Sequence, residues 1–345
     1  VSDEIAPSLP PVVKAIRNSR RELSRLLTRI ENGEADKDLA ALFPLTGSAH
    51  IIGVTGAPGT GKSSLVNALA KHYRTTGRTV GIVAVDPTSP FSGGAVLGDR
   101  IRMRDLSGDP GVFIRSMATR GSLGGLAHTT VEVVRALDAA SFEVILIETV
   151  GAGQSEVEIA GAAQTTLVIE APGLGDDVQA IKAGILEIAD ILVVNKADRP
   201  GAESTTRALR AMLDLGHRTE RIVHHGQLMT VPAANPRVDE SSAWQTPVAQ
   251  TVAINGTGIA ELAEHITNHL RYLHQSGTLQ LRERVRIESE MTDLLRETLL
   301  MRLLRQTDPA HLGALVDQVQ LRRLDPVSAA HLLIDLSFPR EEKQP

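Results

Sequence analysis

The sequence predicts an α/β fold: a mostly parallel sheet with helices on both faces, an amino-terminal helical extension and a carboxyl-terminal helical arm. Three observations predict it. From about residue 47 to 256 seven short β-branched runs, HIIGVT, TVGIVAVD, GVFIRS, EVILIETV, TTLVIE, DILVVNK and AQTVAI, alternate with helical stretches. Near-continuous apolar strands separated by helices must be covered on both faces, which is the signature of a parallel sheet. The first of these runs passes through a glycine-rich loop directly into a helical pattern, as a P-loop does. After Gly258 only helical periodicity remains.

Composition narrows the function classes. The chain has 345 residues, with 41 acidic against 36 basic side chains and a formal charge of −5. Nucleic-acid binding demands a basic face for phosphate neutralisation, and this balance does not supply one. Eight aromatics, five Phe, two Tyr and one Trp, offer few platforms for stacked bases. With 42% apolar residues the chain can bury a large core. It contains no cysteine, which removes disulfides, thiolate chemistry and cysteine zinc sites and fits a reducing compartment. No apolar run reaches the roughly 18 residues of a membrane span. The segment VSDEIAPSLPPVVK lacks the basic-then-apolar order of a signal peptide, so the expected location is the cytoplasm.

The chain divides into an extension over 1–46, a nucleotide domain over 47–275 and an arm over 276–345. In the extension, Val13, Ile16, Leu23, Leu26, Leu27 and Ile30 have the spacing of one amphipathic helix from Val12 to Ile30. The arm follows a helix from Ile259 to His274. It opens with a long helical segment from Leu279 to Leu304 carrying Leu281, Val285, Leu294, Leu295, Leu299, Met301, Leu303 and Leu304, and shorter pieces reach about 337. So much apolar surface should pack on the sheet domain or on a second copy of the arm.

The loop itself reads Gly56-Ala57-Pro58-Gly59-Thr60-Gly61-Lys62-Ser63-Ser64, a complete G-x-x-x-x-G-K-S. Its glycines let backbone N–H groups turn inward around phosphates, and the following helix adds the positive end of its dipole. Lys62 should bridge the outer phosphates, and the Ser63 hydroxyl should reach Mg²⁺. Downstream, the strand Ile191 to Val194 ends in Asn195-Lys196-Ala197-Asp198. An Asp198 carboxylate can accept from both N1–H and the 2-amino group of guanine, a donor pair that adenine lacks. Asn195 and the Lys196 stem would position that loop and cover the base. Val252, Ala253 and Ile254, at the end of the last strand, are candidates to bring a backbone N–H to the guanine oxygen; a plain glycine turn into the next helix is the equal alternative.

Three acids stand where an Mg²⁺ site needs them: Asp86 at the end of TVGIVAVD, Asp99 in a glycine-rich stretch, and Glu148 at the end of EVILIETV. Mg²⁺ keeps several waters and takes one or two protein carboxylates, so some of these act through water, one of them orienting the hydrolytic water. Residues 88–99, 121–125 and the loop Ala171 to Asp177, which contains Asp176 and caps a helix carrying Gln179 and Lys182, have the Gly-rich composition of switch segments.

These motifs resemble one family, the P-loop GTPases of the MeaB, ArgK and human methylmalonic-aciduria-type-A group. The similar stretches are GAPGTGKSSLVNAL, VAVDPTSPFSGGAVLGDRIRM, IRSMATRGSLGGLA, ILIETVGAGQSE, DDVQAIKAGILEIADILVVNKAD and NGTGI, covering about 47 to 260, and NSRRELSRLLTRIENG before them. The resemblance implies a SIMIBI-class sheet, GTP hydrolysis to GDP with Mg²⁺ that is slow without a partner, and homodimerisation through the arm. It also implies docking on a cobalamin-dependent acyl-CoA mutase, typically methylmalonyl-CoA mutase, to gate cofactor loading and protect the enzyme. Lys62, Ser63, Asp86, Asp99 and Glu148 would then match the phosphate, metal and hydrolysis residues, and Asp176 to Lys182 a partner-sensing switch. Ala152 stands where the family often has Val, and Val252 replaces its usual Ser. Two other roles attach to relatives. A kinase linked to amino-acid transport would want catalytic H-R-D and D-F-G motifs, which the chain lacks. A nickel-delivery GTPase would want soft or imidazole ligands, of which only His224-His225 are adjacent.

Overall fold

The computed structural model describes residues 9–87, 103, 105–106, 108–119, 125–149, 161–173, 188–215, 220–224, 227–231 and 243–337, with backbone only at 86–87, 118–119, 125–127, 215, 220–224 and 227–231. The extension begins with two helices, α1 (Pro11–Asn18) and α2 (Arg20–Glu31), where one was expected. The break is at Ser19, whose backbone is extended at φ −144° and whose hydroxyl accepts from the Glu22 amide at 3.3 Å. A serine hydroxyl satisfies an orphan amide better as an N-cap than inside a helix, and that preference overrides the continuous apolar spacing. The six apolar residues of the pattern are nevertheless all buried. A short α3 (Asp36–Leu42) completes the extension.

Seven strands follow: β1 (His50–Gly56), β2 (Val80–Pro87), β3 (Val112–Thr119), β4 (Val144–Thr149), β5 (Thr165–Glu170), β6 (Ile191–Asn195) and, after an intervening hairpin, β9 (Val248–Thr251). They form one wholly parallel sheet in the order β3-β2-β4-β1-β5-β6-β9. Each corresponds to one of the seven apolar runs. The hairpin, β7 (Glu220–His224) and β8 (Gln227–Val231), is antiparallel, and the sequence reading missed it. Its five-residue arms lie inside a stretch that the βα alternation had already accounted for. The last strand is shorter than its apolar run. It stops at Thr251 because the chain turns: Val252 N–H donates to Thr257 O, and the Asn255 and Gly256 amides both return to Val252 O. The turn needs Gly258, which has φ +75° and whose Cβ would stand 2.1 Å from the Gln250 carbonyl.

The two faces of the sheet bury different clusters, as side-chain alternation requires. Ile52, Val54, Val144 and Leu146 pack under α4 (Lys62–Thr75) and α7 (Ile259–Ser276), meeting Leu65, Leu69, Leu262 and Ile266. Ile51, Val83, Ile145 and Ile147 face α5 (Gly125–Ala139) and the extension, so Leu23, Leu27 and Ile30 share a core with Val133 and Leu137. A third cluster seats α6 (Ala202–Leu215) through Leu209 on Leu192 and Val194.

At the amino-terminal edge of the sheet lies a buried polar chain. His50 Nε2 and His269 Nδ1 each lie 2.9 Å from the Thr165 hydroxyl, and His269 Nε2 is 3.3 Å from Asp190 Oδ1. Asp190 also accepts from the Thr166 amide at 2.8 Å and from Arg282 at 3.2 Å. Burial pushes the Asp190 carboxyl up, but Arg282, His269 and the Thr166 amide outweigh it and hold it well below the usual carboxylate range. Burial, with the nearby charges of His269 and Arg78, lowers His50 to about 3.

Arg282 belongs to α8 (Thr278–Gln306), which Gly277, at φ +74°, separates from α7. The chain forms two compact units, 1–286 and 287–345. The second contains the rest of α8 with α9 (Pro309–Gln320) and α10 (Pro326–Ser337). Asp308 caps α9 by accepting from the Ala310 amide at 2.9 Å. Among the described residues none of α8 is buried, and Leu295, Leu299, Val316, Leu321 and Val327 are all more than half exposed.

Candidate nucleotide site

The expected site residues that the structure describes gather at the carboxyl ends of β1, β4, β6 and β9. This is where ligands of open parallel sheets sit. Strand β1 delivers the chain into the loop at Gly56, where a Cβ would stand 2.2 Å from the Ile169 carbonyl of β5. Gly59 and Gly61 take φ +84° and +93°, which turn the loop back on itself. Among the described hydrogen bonds, the amides of Gly59, Gly61, Ser63 and Ser64 donate to nothing, and Gly61 caps α4 without a side chain. Donors concentrated in this way at a helix amino terminus form an anion-binding surface. Lys62 is buried, and its ammonium donates to Gly56 O at 2.7 Å and Ala57 O at 3.0 Å. Pro58 is exposed on the outer turn, and Thr60 is buried with its hydroxyl on Ala57 O at 2.9 Å.

Ser63 donates to Glu148 Oε1 at 2.5 Å, and both are buried. Glu148 therefore does what an acid at the end of a buried strand must do: it finds a polar partner within the site. Asp86 is the penultimate residue of β2, two residues past Ala84, which is paired in register with Glu148. Its side chain is not described, and Asp99, Asp176, Gln179, Lys182 and residues 88–99 and 121–124 lie outside the described residues. Among the described residues no three of His, Cys, Asp and Glu form a metal-binding group.

The base side is built around Asn195, at the end of β6 and 2% exposed. Its amide nitrogen donates to Thr60 O at 2.9 Å, and its Oδ1 accepts from the Thr251 hydroxyl and the Ala253 amide, each at 3.2 Å. One side chain thus ties the phosphate loop, its own loop and the last loop together. Lys196 adopts φ +58° and reaches Gly59 O at 2.6 Å, leaving Asp198 exposed at the rim. Of the three candidate amides in the last loop, Val252 and Ala253 are already bonded to Thr257 O and Asn195. Only that of Ile254, a residue 90% exposed, is uncommitted among the described hydrogen bonds.

The sequence reading missed Thr55 and Thr149. They lie directly behind Gly56 and Glu148, and the Thr149 hydroxyl donates to Thr55 Oγ1 at 3.1 Å. The only sequence signal was a threonine one residue from each motif.

The model of the family described as methylmalonyl-CoA mutase-associated GTPase MeaB matches residues 23–308. The chain belongs to the MeaB family. A Pyrococcus horikoshii protein named as a GTPase is 45% identical over 324 residues, covering 92% of this chain and 95% of its own. The mouse mitochondrial methylmalonic aciduria type A homolog is 32% identical over 291 residues, 84% of this chain and 65% of its own. Among solved structures, a LAO/AO transport system kinase superposes with a TM-score of 0.68 over 94% of this chain and 96% of that one, at 24% identity. The fold expected from the sequence, a P-loop α/β sheet with amino- and carboxyl-terminal helices, is the fold this MeaB-family chain has. No helix among the described residues is long and apolar enough to cross a membrane.

Proposed function

We propose that this chain hydrolyses GTP with Mg²⁺ and acts in the cytoplasm as a chaperone of a cobalamin-dependent acyl-CoA mutase, methylmalonyl-CoA mutase first among them, gating its cofactor loading and protecting it. The observation that carries the nucleotide part is Asn195, which locks a phosphate loop, an N-K-x-D loop and a third loop into one cradle. In this reading residues 56–64 hold the phosphates, Asp198 reads guanine and the Ile254 amide meets its oxygen. Lys62 moves from the loop carbonyls to the outer phosphates, whose charge makes them stronger acceptors than those carbonyls.

The hydroxyl of Ser63 and the carboxylate of Glu148 are hard oxygen donors already in contact, which fits Mg²⁺, with Asp86 and Asp99 as further, water-mediated partners. When bound, the ion neutralises charge on the outer phosphates. Asp99 and Glu148 orient the attacking water, and Lys62 stabilises the charge that develops. Residues 1–46, 47–275 and 276–345 act as extension, nucleotide domain and dimerisation arm, the last supported by the exposed leucines of α8.

The chaperone role rests on family membership and on the mouse relative's name. A partner that prefers the GTP-bound state must, by linkage, raise GTP affinity or hydrolysis competence. Steady-state phosphate release should therefore rise severalfold with saturating methylmalonyl-CoA mutase. Lys182→Ala should lose most of that rise while keeping basal turnover. A native rate unmoved by methylmalonyl-CoA or isobutyryl-CoA mutase would overturn the chaperone reading; equal stimulation of the variant would overturn the switch assignment.

A further inference from the structure

The phosphate loop hangs from β1 and Glu148 from β4, so the geometry of the site depends on how these two strands are held at their carboxyl ends. The paired register of β1 and β4 runs from His50↔Val144 to Val54↔Glu148 and stops there. Beyond it β1 stays paired only with β5, as far as Gly56↔Ile169, while β4 stays paired with β2 at Val85↔Thr149. At this level the two strands begin to part, one toward the phosphates and the other toward the segment after Glu148. The Thr149 to Thr55 hydroxyl bond, at 3.1 Å between residues each 1% exposed, continues the β1–β4 pairing by one more position.

We propose that Thr55 and Thr149 are a positioning pair that sets the distance between the phosphate loop and the Glu148 carboxylate. The pair deepens the GTPase reading and rests on it. Neighbouring residues of a strand point to opposite faces. Glu148 shares a face with Ser63, whereas the two threonines lie on the face toward the extension, so they act through the backbone and not on the nucleotide. The bond has no role in filling the core: threonine and valine have nearly the same shape, and Val85 and Ile147 already pack on that face. What a hydroxyl adds over a methyl is a fixed separation. The contact it governs, Ser63 to Glu148 at 2.5 Å, leaves little room for drift. Small misplacements in a site of this kind are costly, about a hundredfold in rate for 1 Å.

The test uses the full chain with Thr149→Val, Thr55→Val, the double variant and Thr149→Ser. Three quantities are measured: the single-turnover GTP hydrolysis rate, the Mg²⁺ concentration that half-protects bound GDP from release, and GDP affinity in EDTA. Each valine variant should lower the rate about tenfold and raise the Mg²⁺ requirement severalfold, while GDP affinity in EDTA stays within about twofold. The double variant should be no worse than the worse single one, because both remove the same bond, and Thr149→Ser should stay near the native values. Losses that multiply in the double variant, failure of serine to rescue, or EDTA affinity and thermal midpoint falling in step with the rate would each overturn the proposal. If the native chain hydrolyses no GTP, the GTPase reading fails, and the Mg²⁺ titration still decides whether the pair positions Glu148.

Discussion

The same strands end in opposite ways at the two edges of the sheet. Strands β1, β5 and β6 begin at or beside His50, Thr165 and Asp190, and there the polar groups are turned toward one another: two imidazoles on one hydroxyl, the second imidazole 3.3 Å from a carboxylate, and that carboxylate on a guanidinium and an amide. At the other end β1 and β6 reach Gly56 and Asn195, where the amides of Gly59, Gly61, Ser63, Ser64 and Ile254 are left uncommitted among the described hydrogen bonds. Between them lie a few apolar residues that are all buried. The comparison separates two uses of polarity on one scaffold. A closed network holds the start of α8 to the sheet and offers a ligand nothing, whereas an open one is costly to the apo fold and is satisfied by an anion.

Breaking the closed edge should have the largest effect, and on stability alone. Asp190→Ala leaves Arg282 and His269 facing each other without their shared carboxylate. Removing one member of a buried ionic group costs about 3–5 kcal/mol. At about 2–4 °C per kcal/mol this lowers the thermal midpoint by on the order of 10 °C. GDP affinity at 20 °C should stay within about threefold; a proportional loss would mean that the two edges are not separable. Trp244 packs against His269 in a tilted contact, ring centroids 4.8 Å apart, and is the only tryptophan, so its fluorescence reports this edge directly.

The converse substitution should act on chemistry. Lys62→Ala is expected to reduce single-turnover hydrolysis by at least about a hundredfold. The thermal midpoint should move by less than about 4 °C, since the hydrogen bonds lost to the Gly56 and Ala57 carbonyls lie within the loop itself. A large drop in melting temperature with intact turnover would reverse the assignment of the two edges.

The smallest effect is a pH slope. An unfolded His50 takes up a proton near 6.5, but the folded one resists until about 3. Acid therefore favours the unfolded chain: the contribution is complete above pH 6.5 and is lost as pH falls toward 3. One proton corresponds to a slope of up to about 1.4 kcal/mol per pH unit. His50→Gln should remove that part of the slope between pH 5 and 6 in denaturant titrations, whereas an unchanged slope would assign the acid sensitivity elsewhere.

The open edge was far more legible in the sequence than the closed one. Its residues come in contiguous motifs whose spacing is dictated by backbone approach to a ligand, as with Gly56 to Ser64 and Asn195 to Asp198. The seven strands were legible because burial on both faces leaves continuous apolar runs. The closed edge was not, because its members are single polar residues brought together over long separations, 115 residues from His50 to Thr165 and 104 from Thr165 to His269. No local pattern distinguishes such residues from surface ones. Ser19 was missed for a related reason: one capping hydroxyl decides the break, and the apolar period runs through it undisturbed.

The central claim is that the open edge is shaped for a guanine nucleotide. Isothermal titration of the native chain with GDP and with ADP, each with Mg²⁺, tests it most directly, with Asp198→Asn as the matched control. A charge-assisted pair from Asp198 is worth about 1.5–3 kcal/mol, or roughly ten- to a hundredfold in affinity. The native chain should prefer GDP to ADP by at least that factor, and the variant should lose a comparable factor for GDP while gaining affinity for xanthosine diphosphate. Equal binding of GDP and ADP by the native chain would contradict the account.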